Sequence, residues 1–237
     1  MATTGLSMSP KPQLLIFDLD GTLVDSCRDL ATAVNLMRRS YGLPPLTVET
    51  ITGFVGDGVR LLVTRALQGT TIDIDEAMQV QAPLYREHLL DETALYPGVR
   101  EGLHRLRELG HVLAVGTNKP ADACERILEH FRIRPLFAQV MGGGSTPHLK
   151  PHPEMLQIMM RATGVVPGDT WMIGDHHTDL ESGRRAGAHC IFLSYGYGNK
   201  GTETPDRTCH SFNEVVGLFE EGACPVRDSA LRGADCE

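Results

Sequence analysis

Two hydrophobic patterns alternate along the chain. Short apolar runs, LLIFD (14–18), VLAVGT (112–117), AQVMGG (138–143), WMIGD (171–175) and CIFLSYG (190–196), are rich in Val, Ile, Leu and Met. Runs of this kind read as strands covered on both faces, as in a parallel sheet. Between the later runs the period lengthens to that of a helix. Val99, Leu103 and Leu106 fall at i, i+4 and i+7 in VREGLHRLRELG, which stops at Gly110, and Cys124, Ile127, Leu128 and Phe131 share a face of ADACERILEHF. The alternation predicts βαβ units and an α/β fold.

Residues 27–96 break it. They are too long for one crossover and hold no strand-like run, whereas Leu30, Val34, Met37 and Tyr41, then Val59, Leu62, Val63, Ala66 and Leu67, recur at helical spacing. DEAMQVQAPLYREHLLD makes a third, less regular helix candidate. The predicted layout is a core from 13–26 and 97–220 with a helical subdomain, 27–96, inserted after the first strand. DSCRD and LYPGV, with Pro97 and Gly98, are its two connectors and a natural hinge. The ends, 1–12 and 221–237, show no sustained periodicity and are expected to be disordered.

Composition narrows the class without naming a chemistry. The 237 residues are 41% hydrophobic, enough for a globular core. A net charge of −8 with no Lys/Arg cluster argues against a nucleic-acid or anionic-membrane surface. No apolar run is long enough to cross a bilayer, and MATTGLSMSPKP lacks a basic start and an apolar stretch, so a cytoplasmic location is expected. Cys27, Cys124, Cys190, Cys209, Cys224 and Cys236 form no CxxC pair, which fits reduced thiols.

Polar residues unsuited to a core gather where the strands end, and ligands of open α/β sheets bind beyond those ends. Asp18 and Asp20 follow the first strand, Thr117 and Asn118 close the second, and Asp175 and Asp179 follow the fourth in GDHHTD. Lys150 lies in HLKPHPE, before a helix that Pro153 can open. Each cluster has an ordinary structural reading: Asp-Gly as a turn, Asp175 and Asp179 as a helix cap and a solvated face, Thr117 as a strand end. Their joint occurrence favours a site. His148 and His152 have metal-like spacing, but Pro147, Pro151 and Pro153 argue against a shared helix, and His176 and His177 are expected as loop residues near the entrance. Gly142–Gly144 lacks a following GK[ST] and reads as a flexible strand exit.

This order of clusters resembles the haloacid dehalogenase-like phosphatase superfamily, whose motifs are DxDGT, a strand-ending Thr or Ser, a Lys before a Pro, and GDxxxD. The match runs from about Gln13 to about Phe219. FDLDGTLVDS, GFVGDGVRLLVTRAL, TNKP and SYGYG resemble most closely the phosphoglycolate phosphatases, and related sugar phosphatases share parts of them. The resemblance implies a Rossmann-like parallel sheet with an inserted α-helical cap. It also implies a Mg²⁺ cofactor, a small phosphate ester as substrate, and a monomer or homodimer.

The residues are suited to that chemistry. Phosphate monoesters hydrolyse very slowly in water, so a site must provide a nucleophile, charge neutralisation and a proton for the leaving alcohol. Asp18 is the candidate nucleophile, forming an aspartyl-phosphate, and Asp20 the proton carrier for both half-reactions. Mg²⁺ would be held by the Asp18 carboxylate, the Asp20 carbonyl and Asp175, with Asp179 either ligating through water or orienting its neighbours. Lys150 would pair with Asp18 and a phosphoryl oxygen, while the Thr117 hydroxyl and the Asn118 amide would donate to the transferring group.

Asp20 and the insert argue against a receiver-like signalling domain, and Asp20 argues against a dehalogenase. The absence of any Lys between Cys27 and Tyr96 argues against a phosphonate hydrolase. A β-phosphoglucomutase-like enzyme, an N-acetylmuramate 6-phosphate phosphatase and a pyrophosphatase stay open. For the choice of substrate, Gly56 and Gly58 lead into a helix near Val59 whose free N–H groups would favour an anion such as the carboxylate of 2-phosphoglycolate, with Arg60 assisting. The competing reading makes these glycines turn residues and leaves Arg60 facing solvent.

Overall fold

The computed structural model describes residues 11–220. The first apolar run becomes β1 (Leu14–Phe17), whose four residues are fully buried. A ribbon strand, β2 (Val24–Asp25), and four helices follow: α1 (Cys27–Ser40), α2 (Val48–Thr52), α3 (Val59–Ala66) and α4 (Ile74–Glu87). The chain returns through β3 (Ala94–Leu95), α5 (Val99–Glu108), β4 (Val112–Pro120), α6 (Ala121–His130) and β5 (Gln139–Gly143). It ends with α7 (Glu154–Thr163), β6 (Thr170–Gly174), α8 (His177–Ala186), β7 (His189–Leu193), β8 (Arg207–Cys209) and α9 (Phe212–Glu220).

Six strands form one parallel sheet in the order β5-β4-β1-β6-β7-β8. Leu14 lies opposite both Val112 and Thr170, and Phe17 opposite Val115 and Ile173, so β1 is the central strand. Chain order runs outward to β4 and β5 on one side of β1 and then resumes with β6 on the other. This reversal opens a crevice beyond the strand ends, the preferred ligand position in such sheets. Alternate side chains of β1 feed two cores. Leu14 and Ile16 pack with Met155, Leu156, Met159 and Met172, while Leu15 and Phe17 pack with Leu103 and Leu106 of α5 and Phe212 and Phe219 of α9.

The helices α1 to α4 form the insert, with α1 packed on α2 and α4, and α3 on α4. Its two connectors are zipped together: β2 and β3 pair antiparallel, Val24 with Leu95 and Asp25 with Ala94. Asp29 of α1 reinforces the junction by accepting from the amides of Glu92 and Thr93 and from the Thr93 hydroxyl at 2.6 to 3.2 Å.

Several features depart from the sequence reading. β4 continues to Pro120, β7 ends at Leu193, and β8, the ribbon, α2 and α9 were not foreseen. β8 has three residues, Arg-Thr-Cys, at the sheet edge, where one neighbour and half-exposure remove the need for an apolar run. α4 looked irregular because its inward stripe is Ala77, Gln81 and Tyr85, of which two are polar. The disorder expected of 1–12 and 221–237 concerns, apart from residues 11 and 12, segments outside the described residues. No helix among the described residues is long and apolar enough to cross a membrane.

Candidate active site

A cleft of about 620 Å³, its open mouth included, lies beyond the carboxyl ends of β1, β4 and β6, roofed by the helical insert. Asp18, Asp20, Thr117, Asn118 and Asp175 line it. The turn after β1 presents both first-strand carboxylates. The amides of Thr22, Leu23 and Val24 all donate to the Leu19 carbonyl, and Gly21 takes φ +78°. A Cβ at Gly21 would fall 2.1 Å from Asp175 Oδ2, so glycine lets the two acidic loops meet.

Asp18 is 7% exposed and faces Lys150, whose Nζ lies 3.0 Å from its Oδ1 outside hydrogen-bond geometry, so this oxygen accepts no hydrogen bond among the described residues. Burial raises the Asp18 carboxyl, Lys150 opposes the rise, and Asp179 adds to it. Lys150 also donates to Asp179 Oδ1 and to the Gly116 carbonyl, both at 2.6 Å. Burial disfavours its ammonium, but Asp179 and Asp18 outweigh this and hold it above its ordinary value.

Asp175 accepts from the Gly198 amide at 2.7 Å and the Thr22 hydroxyl at 3.3 Å. Burial, with repulsion from Asp179 and Asp18, pushes its carboxyl well above the usual range. Asp179 is fully buried and takes the His176 amide at 3.0 Å besides Lys150. Each of its two oxygens therefore accepts from a donor of the site. Carboxylate oxygens of Asp18, Asp175 and Asp179 lie within 4.8 Å of one another. A buried, oxygen-only, like-charged set with an Asp18 oxygen that accepts no hydrogen bond among the described residues fits a hard divalent cation such as Mg²⁺.

Thr117 is buried, its hydroxyl accepting from the Lys119 amide at 3.2 Å. The Asn118 side chain clamps the Lys150 backbone, accepting from its amide and donating to its carbonyl at 2.8 Å each, and donates to the Gly56 carbonyl at 2.9 Å. It thereby joins the insert to the sheet. Gly56 and Gly58 do line the cleft. Gly56, at φ +117°, lies over His176, whose ring a Cβ there would approach to 2.7 Å. Arg60 is a correction: it lies outside the cleft lining, is 62% exposed at its side chain and pairs with Asp75 at 2.5 Å. The inward positions of α3 are Leu62, Val63 and Ala66, which turns Arg60 to solvent.

His176 lies in the loop before α8, which it caps, and lines the cleft at 6% exposure; burial, aided by His177, lowers it to about 4. His177 opens α8 and faces Asp57 of the insert at 3.7 Å, where Asp57 also pairs with Arg65 at 2.6 Å.

Sequence reasoning missed a second cation. Lys119, with its side chain 2% exposed, donates to both oxygens of Asp20 at 2.8 and 3.0 Å and to the Tyr85 hydroxyl of α4. Asp20 also accepts from Ser26 at 2.5 Å, and Tyr197 reaches Ser26 at 3.2 Å. TNKP and SYGYG contain Lys119 and Tyr197, but nothing local says that these side chains converge on Asp20.

Known proteins show the same organisation. A protein named phosphoglycolate phosphatase from Chromobacterium violaceum is 39% identical over 217 residues, spanning 87% of this chain and 96% of its own. Phosphoglycolate phosphatase 1 of Pseudomonas aeruginosa is 38% identical over 236 residues, 94% of this chain and 86% of its own. Among solved structures, a predicted phosphoglycolate phosphatase from Haemophilus somnus superimposes with a TM-score of 0.82 at 31% identity, covering 88% of this chain and 98% of the other. The family model for haloacid dehalogenase-like hydrolases matches residues 15–193, a span holding the insert and all four polar clusters from Asp18 to Asp179, and the chain therefore belongs to that family.

Proposed function

We propose that the chain is a Mg²⁺-dependent phosphatase that hydrolyses 2-phosphoglycolate to glycolate and phosphate through an aspartyl-phosphate on Asp18. The observation that carries the reading is the pairing of a nucleophile and a separately held proton carrier in one cleft: Asp18 faces Lys150, and Asp20 is fixed by Lys119 and Ser26.

An Asp18 oxygen attacks phosphorus while Lys150 offsets the negative charge that gathers there. Asp20 gives its proton to the leaving alkoxide oxygen as the P–O bond breaks. In the second half-reaction Asp20 takes a proton from water, which attacks the aspartyl-phosphate and returns Asp18 as a carboxylate with phosphate released. Asp18, Asp175 and the Asp20 carbonyl would hold Mg²⁺, which when bound supplies charge neutralisation for the phosphoryl oxygens. Similarity over most of the chain to two proteins named phosphoglycolate phosphatase supports the choice of substrate.

Phosphate release with Mg²⁺ over 2-phosphoglycolate, hexose phosphates, N-acetylmuramate 6-phosphate and pyrophosphate tests the reading. The expected result is the highest kcat/KM for 2-phosphoglycolate and no turnover by Asp18→Asn. Better turnover of a sugar phosphate would overturn the substrate, and an active Asp18→Asn enzyme would overturn the mechanism.

A further inference from the structure

Gln81 of α4 is 1% exposed and lines the cleft, yet its Nε2 has no hydrogen-bond partner among the described residues. Leaving a buried donor unpaired is destabilising, and an acceptor arriving in the cleft would recover that loss. Tyr85, four residues on, shares the same helix face and also lines the cleft. The other lining residues of the insert are Leu30, Val55, Val59, Leu62 and two glycines, so Gln81 and Tyr85 are the insert's polar side chains there. Tyr85 meets Lys119, whose Nζ lies 4.8 Å from the ring centroid and which is the one Lys or Arg among the lining residues. Donors from two subdomains and a single buried cation thus share one corner of an otherwise apolar roof.

That corner is adjacent to the leaving group. Lys119 Nζ is 2.8 Å from Asp20 Oδ1, and Asp20 must touch the leaving oxygen to protonate it. In 2-phosphoglycolate the carboxylate carbon is two bonds from that oxygen, which puts its oxygens within reach of the same ammonium. Resting on the reading of the chain as a 2-phosphoglycolate phosphatase, we propose that Gln81, Tyr85 and Lys119 form the pocket for the substrate's carboxylate. The Gln81 amide is the donor that reads the anion, Tyr85 donates its hydroxyl proton, and Lys119 supplies the charge. Gly56, Gly58 and Arg60, the residues suggested by the sequence, are not needed for this recognition.

The test is a ratio: kcat/KM for 2-phosphoglycolate divided by that for ethyl phosphate, which has the same leaving-oxygen chemistry and no carboxylate. Gln81→Leu is expected to lower it about tenfold, mostly through KM for the acid, and Gln81→Glu to lower it further by setting a like charge against the substrate. A general structural defect would depress both substrates together. A ratio within about twofold of wild type in both variants overturns the proposal while leaving the substrate reading intact. A wild-type enzyme with no preference for the acid overturns both.

Discussion

Lys119→Met removes the buried charge that pairs with Asp20, and its consequences can be worked from the geometry. The ammonium holds both Asp20 oxygens at 2.8 and 3.0 Å, with the two side chains 2% and 11% exposed, and it also links Asp20 to Tyr85 of the insert. Without it Asp20 keeps the Ser26 hydroxyl at 2.5 Å and an uncompensated carboxylate. Breaking a buried ion pair costs about 3–5 kcal/mol, and because Asp20 still reaches the cleft the lower end applies, about 3 kcal/mol. For a domain of this size that is a fall in Tm of roughly 6–12 °C. Asp20 also loses the partner that aims it, and a misplaced acid–base group lowers kcat by about 10²-fold or more. Thermal melts and phosphate-release kinetics of Lys119→Met, Asp20→Asn and the double variant form the assay. The double variant should regain most of the stability lost in Lys119→Met, since it no longer strands a charge. A Lys119→Met protein melting within a degree or two of wild type, or losses that simply add in the double variant, would refute the pairing.

Metal dependence should vary with pH in a defined direction. Asp175 and Asp18 have carboxyls raised above 3.8 in the folded chain, mainly by burial, so their contribution to stability is present at low pH and is lost as pH rises through the raised values. Mg²⁺ needs the carboxylate forms, so the Mg²⁺-induced gain in Tm should grow as pH rises above the usual carboxylate range, and a flat gain would contradict the assignment. Asp175→Ala should raise the Mg²⁺ concentration for half-activity, whereas Asp179→Ala should chiefly lower Tm by removing the nearer of the two carboxylates that face the Lys150 ammonium; a reversed pattern would exchange their roles. Gly56→Val puts a Cβ 2.7 Å from the His176 ring, at φ +117°, and should raise KM roughly tenfold by keeping the insert from seating, as steady-state kinetics would show.

The strands and the four polar clusters were legible in the sequence because both depend on local facts. A central strand buried on both faces must be apolar throughout, as Leu14–Phe17 is, and a polar residue that follows such a run must sit at the carboxyl end of the sheet, where Asp18, Thr117 and Asp175 line the cleft. The helices of the insert were legible where their inward faces were apolar. Tertiary structure decided the rest. Lys119 and Asp20 are 99 positions apart, and only the pairing of β1 with β4 brings them together. Gln81 and Tyr85 blurred the periodicity of α4 because the inward stripe they share also lines the cleft and carries polar groups, and Arg60 left the site because its place on α3 is set by Leu62, Val63 and Ala66 turning inward. β2 and β3, two residues each, carry no pattern at all and exist because Val24 and Leu95 meet across the base of the insert. Hydrophobic period thus determined where the chemistry stands, and long-range packing decided which side chains face it.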